Sequence, residues 1–301
     1  MGELAALVTS LLWTLTSIFF TLAGRRVTSP VVNRVRLALA VLYLSVTHLI
    51  VTGQLWPLDA GPSRWLWLGL SGIVGLVLGD AALFQAYVQI GPRRTQLVMT
   101  SAPVIASVGA WLLWNERLAP AQVAAMAVVI GGIAWVVSEP RPANGEHRFP
   151  GDSDHRIYRL GLLLALGGAL GQAGGLLLAK QGLGGGFAPL SATMIRMLAA
   201  TAAIWLLAGA QGRVRSTWQR LQDRRALLLI ASGALVGPFL GVWMSMVAVQ
   251  RAPLGIASTL MALPPILLIP ISAWIFGERV TGRAVAGTAV ALLGVALLFL
   301  L

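Results

Sequence analysis

Gly75-Leu76-Val77-Leu78-Gly79 recurs, 162 positions further on, as Gly237-Pro238-Phe239-Leu240-Gly241. At the same offset Ala86 meets Ala248, Met99 meets Met261 and Pro103 meets Pro265. Glu116-Arg117 falls on Glu278-Arg279, Val123-Ala124 on Val285-Ala286, and Gly132 on Gly294. Rare residues held at one spacing over such a length identify an internal duplication. Earlier in each half Val35-Arg36 matches Ile195-Arg196 with a slightly different offset, so loop lengths differ between the halves.

The solvent of this chain is a lipid bilayer. Of its 301 residues 57% are hydrophobic and 11% charged, against about 25% charged in soluble domains, and the mean hydropathy is +0.81. A bilayer core of ~30 Å is crossed by about 20 apolar residues in helical form, because each backbone N–H and C=O must be satisfied within the segment. Ten such segments are marked, at 3–23, 30–52, 65–87, 94–114, 120–137, 160–179, 189–209, 226–249, 254–276 and 283–300. Turn chemistry and charge separate them, as at Gly91-Pro92-Arg93-Arg94 and Asn115-Glu116-Arg117. The predicted fold is an all-α integral membrane protein, with a first repeat at 1–138, a cytoplasmic linker at 139–159 and a second repeat at 160–301. The first apolar run is long enough to span and lacks a basic leader, so it reads as a retained helix.

Five helices per repeat is an odd number, so the second repeat enters the membrane inverted relative to the first. Inverted repeats are a common architecture of secondary transporters, with the solute site between the halves near the midplane. The net charge of +12 does not indicate nucleic acid, because the arginines gather in short loops. Fifteen lie in loops after the odd-numbered segments and four Lys or Arg on the other side. The positive-inside rule then places both termini on the outer side of a plasma (inner) membrane. The sequence has no cysteine, no Walker loop and no pair of membrane-embedded histidines, so neither an ATP-driven engine nor an enzyme, metal or cofactor site is indicated.

The candidate pathway residues are the polar and aromatic groups within apolar runs. Asp80 lies inside the third segment, where a carboxylate costs roughly 3 kcal/mol unless paired, protonated or wet. It suits proton coupling or a counter-charge for a substrate amine or guanidinium; the alternative is a structural partner for Arg36 or Arg196, or a helix-end group wetted from the surface. Those two arginines, near the starts of segments 2 and 7, either snorkel to the headgroups or face a cavity and hold a carboxylate through a planar fork of donors. Trp13 is too central for an interfacial belt; Ser17, Gln85, Tyr87 and Gln172 complete the set. Ser17 and Gln172 are read as equivalent positions, and Gly168 as standing where the first half has Trp13. Pro103, Pro264 and Pro265 interrupt apolar runs and are candidates for gating bends. Glu116-Arg117 and Glu278-Arg279 read as caps and anchors at a water boundary.

These residues resemble the EamA-type transporters of the drug/metabolite transporter superfamily. The resemblance rests on the opening run around Trp13, Arg36 with its repeat Arg196, and the small-residue third helix. It rests most on the two endings, Pro103 to Glu116-Arg117 and Pro265 to Gly277-Glu278-Arg279. Asn115 departs from the family's usual glycine. The resemblance implies a secondary transporter exporting an amino acid or related metabolite. Protons are a candidate coupling ion and a second copy of the chain a candidate partner. The alternatives are a multidrug or nucleotide-sugar-type exchanger, or else a non-transporting scaffold or lipid-modifying enzyme.

Overall fold

A computed structural model of the chain describes residues 1–137, 155–267 and 281–301, with the side chain of Tyr87 and those of some other helical residues outside the description. The expected linker and the Gly277-Glu278-Arg279 ending fall largely or wholly outside the described residues. The first half contains α1 (Gly2–Arg26), α2 (Ser29–Thr52), α3 (Pro62–Gly72), α4 (Asp80–Met99), α5 (Ala102–Trp114) and α6 (Pro120–Val137). The second contains α7 (His155–Gly182), α8 (Pro189–Ala210), a short surface helix α9 (Val214–Arg220), α10 (Arg224–Ala234), α11 (Val242–Arg251), α12 (Leu254–Met261) and α13 (Gly282–Leu300). Among the described residues six stretches are long and apolar enough to cross a membrane and four shorter apolar helices accompany them. Together they account for the ten expected segments.

Proline and left-handed caps punctuate the helices. Pro30, Pro62 and Pro189 stand in the first turns of α2, α3 and α8, where no intrahelical N–H is required. Helix α2 ends at Gly53 with φ 75°, and α5 at Asn115 with φ 51°. Asparagine is the residue after glycine that best tolerates this conformation. Asn115 thus supplies at this helix end the left-handed conformation that glycine most often provides.

The fourth segment differs from its expected form. Helical backbone continues through Gly91–Arg94, and the helix instead breaks at Thr100–Ser101 before α5. Leu83 packs in the same cluster as Met99 and Ala169. The second half repeats the interruption at Ala262–Leu263, after α12. Pro103 and the Pro264-Pro265 pair follow these breaks; each proline lacks an N–H and collides with the carbonyl one turn back. They thus begin new helical turns and do not merely bend a continuous helix.

A seven-residue π-helical stretch, Ile73–Gly79, joins α3 to α4, and its counterpart Leu235–Gly241 joins α10 to α11. Each of these continuous spans packs along the first helix of the other half. Helix α7 lies on the first: an added Cβ on Gly171 would stand 2.5 Å from Gly79 Cα, and one on Gly175 3.0 Å from Gly75 Cα. Helix α1 lies on the second: a Cβ on Gly241 would be 2.9 Å from Trp13 Cδ1, and one on Gly237 2.5 Å from Thr16 Oγ1. Backbones approach this closely only where side chains are absent. The pairing corrects the repeat register. Trp13 corresponds to Gly171 and not Gly168, and Ser17 is not the counterpart of Gln172. The first helices share too few rare residues to align by sequence, whereas packing against equivalent glycines fixes their phase.

At the centre α2 and α8 pack on one another through Leu37, Ala40 and Leu44 against Leu190, Met194 and Met197. Arg36 and Arg196 project from these two helices.

Candidate functional site

The site is built from α2 upward. One turn of helix separates Asn33 from Arg36, so their side chains share a face, and Arg36 Nε donates to Asn33 Oδ1 at 2.7 Å. Arg36 Nη2 donates to Asp80 Oδ2 in an ion pair. Asp80 is the first residue after the π-helical stretch, where one widened turn re-aims the following side chains; such stretches occur often at functional sites. The guanidinium lies 5.6 Å from the ring centroid of Phe20 and 5.4 Å from that of Phe84, at distances where a cation is attracted to the ring face. The side chains of Arg36 and Asp80 are 8% and 19% exposed. A charge pair this far from water holds only because each partner compensates the other. Arg36 is therefore committed to an internal carboxylate and does not snorkel.

Arg196 occupies the equivalent place on α8 and is 4% exposed, so it too is remote from the headgroups. Its Nη1 donates to Met246 Sδ at 2.9 Å, and its Nε has no partner among the described residues. Asp80 acts on it electrostatically from longer range.

The other expected residues are more dispersed. Trp13 packs against Gly241 of the second half. Ser17 Oγ donates back to the Thr14 carbonyl at 2.7 Å, and Gln172 is half-buried on α7. Gln85 is exposed and lines a recess of about 420 Å³ on the arginine-rich face, with Arg26, Ser29 and Arg220. Pro103, Pro264 and Pro265 belong to the helix interruptions described above. The sequence reading missed Asn33 and Met246. Asn33 had a signal, its spacing of three residues from Arg36; Met246 had none.

The opposite face, which carries the termini, is bridged across the halves by Glu116. Its Oε1 accepts from the Leu254 N–H at the start of α12 at 2.5 Å, and its Oε2 accepts from Lys180 Nζ at the end of α7. A carboxylate at a helix N-terminus meets both free N–H groups and the positive end of the dipole. Lys180 lies 5.7 Å from the Trp114 ring centroid, and Trp114 Nε1 donates to Gln181 Oε1 at 3.1 Å. The expected capping role of Glu116 is thus a link between halves, whereas Glu278 lies outside the described residues.

On the arginine-rich face Arg26 Nε donates to Asp223 Oδ2 at 2.7 Å. Asp223 also caps α10, accepting from the N–H groups of Arg225 and Ala226. The hydrogen bond from Arg26, with these backbone donors, holds the Asp223 carboxyl below the usual carboxylate range.

Comparison with known proteins agrees with this architecture. A solved structure described only as "Crystal structure of protein" matches with a TM-score of 0.72 and 18% identity, covering 99% of this chain and 96% of that one. At that identity the likeness concerns the fold. Among curated proteins none matches the sequence. The model of the EamA-like transporter family matches residues 1–138 and again 159–300. With both halves matched over almost the entire length, the chain belongs to the EamA-like transporter family.

Proposed function

We propose that this membrane transporter moves a small metabolite, an amino acid or related compound, in the export direction by alternating access. The carrying observation is the Arg36–Asp80 pair, a compensated charge set at a π-helical stretch inside the bundle. Such a pair can be opened by a proton on Asp80 or by competition from a solute, and either event couples chemistry at the site to motion of the helices. The Glu116 bridge, which ties the two halves together on the terminus-bearing face, supports a state closed on that side. With arginines gathered on the recess side, that side is cytoplasmic and the termini are external. Gradients of solute or protons drive the cycle.

The test is flux in proteoliposomes for a panel of amino acids, with and without a pH gradient. Wild-type protein should move at least one solute; Asp80→Asn, which lowers stability but keeps an acceptor facing Arg36, should show no flux or no pH dependence when compared at equal amounts of reconstituted folded protein. Unchanged flux and pH response in that variant would remove Asp80 from the mechanism. Reporter fusions at the two termini should be active outside the cell, and cytoplasmic activity would reverse the orientation.

A further inference from the structure

Two arginines occupy the same place in the two halves, and their surroundings differ. Arg36 has Asn33 on Nε and Asp80 on Nη2. Carried across the repeat, those partner positions hold Thr193 and Val242. Thr193 donates its hydroxyl to the Pro189 carbonyl at 2.8 Å, and Val242 has no polar side-chain atom. Arg196 is left with a sulfur on Nη1, a weak acceptor, and with a buried Nε that has no partner among the described residues. A desolvated guanidinium with unused donors is costly until an anion completes it.

Its position is equally informative. Met246 approaches Arg196 from the third helix of its own half. From the other half comes Gly75, on which an added methyl would stand 3.6 Å from Nη2. The guanidinium thus sits on the seam between the halves. Arg36, Asp80 and Arg196 together carry one net positive charge, which a single carboxylate neutralises and a doubly charged phosphate would overshoot.

We infer that Arg196 is an anion subsite that takes the carboxylate of a small solute through the planar edge of its guanidinium. Planar, bidentate recognition of a carboxylate is what this side chain does best. Arg36 does not perform this role, because Asp80 already occupies it. The inference rests on the proposed transport for the fate of the solute, and on the surroundings of Arg196 for its capture.

Thermal unfolding of the purified protein in detergent, with amino acids, simple aliphatic carboxylates and their carboxamides as probes, tests it. At least one free acid should raise the melting temperature of the wild type, and its neutral amide should bind at least roughly tenfold more weakly. Val242→Asp supplies an internal carboxylate at the position equivalent to Asp80. That variant should melt higher than wild type and no longer respond to the acid. Arg196→Gln should also lose the response, and carries the same readout if Val242→Asp does not fold. Equal effects of acid and amide, a response retained in either variant, or no response to any acid in wild type would each overturn the subsite. An acid response without flux in proteoliposomes would sink the transport reading and leave the subsite standing. Flux indifferent to Val242→Asp would do the reverse.

Discussion

A buried arginine is acceptable or intolerable according to what touches it, and this chain places both cases in equivalent positions. Asp80→Ala leaves Arg36 desolvated and uncompensated, so it should destabilise the protein by about 3–5 kcal/mol. Arg36→Met combined with Asp80→Leu removes both charges and should cost much less than the two single changes added together. A double-mutant cycle by thermal or denaturant unfolding measures the coupling. At the surface, Asp223 offers a pH-dependent case. Its carboxyl is held below its usual range by Arg26 and by the first N–H groups of α10. Since its folded value is depressed, the contribution is full above the ordinary aspartate value of 3.8 and is lost as the pH falls through the folded value. The melting temperature should therefore decline over that acidic window, and Asp223→Asn should remove that part of the decline.

The elements are set by glycine and proline as much as by hydrophobicity. Two spans carry a π-helical stretch bounded by small residues, and each is covered by the first helix of the other half. Gly171→Val inserts a side chain where only 2.5 Å separates a Cβ from Gly79 Cα. It should cost at least about 1–3 kcal/mol, seen as a lower melting temperature or loss of folded protein. Gly131, with nothing within 4 Å of an added Cβ, should accept alanine without loss. Asn115 makes a parallel point at a helix end. Its φ of 51° should admit Asn115→Gly with little change, whereas Asn115→Val should lower stability by about 1–2 kcal/mol.

Across the molecule, Glu116 joins the end of α5 to α7 and α12, and so ties the first half to the second on the terminus-bearing face. If that bridge keeps this face closed, Glu116→Gln should raise its accessibility. The cysteine-free sequence permits single-cysteine probes without background. A cysteine replacing buried Thr9 should react several-fold faster with an impermeant maleimide from the terminus side in Glu116→Gln than with Glu116 intact. A cysteine replacing Gln85 should react from the arginine-rich side. Unchanged labelling at Thr9→Cys would show that the bridge anchors without gating.

Composition and period alone determined that this chain spans a bilayer, repeats itself and inverts its second half. Those are sums over many residues, and no single contact decides them. Asp80, Arg36 and Arg196 were also legible, because a charge within an apolar run stands out wherever its partner lies. The pairing of Arg36 with Asp80 in preference to Arg196, the phase of α1 and α7, and the two π-helical stretches were decided by tertiary structure. Each depends on which backbone approaches which, and the sequence encodes that only through the absence of side chains at a few glycines. The difference between the two arginines is the clearest case. One reads like the other along the chain, and only the folded neighbourhood shows that Asn33 and Asp80 complete the first while Arg196 retains an unmatched donor.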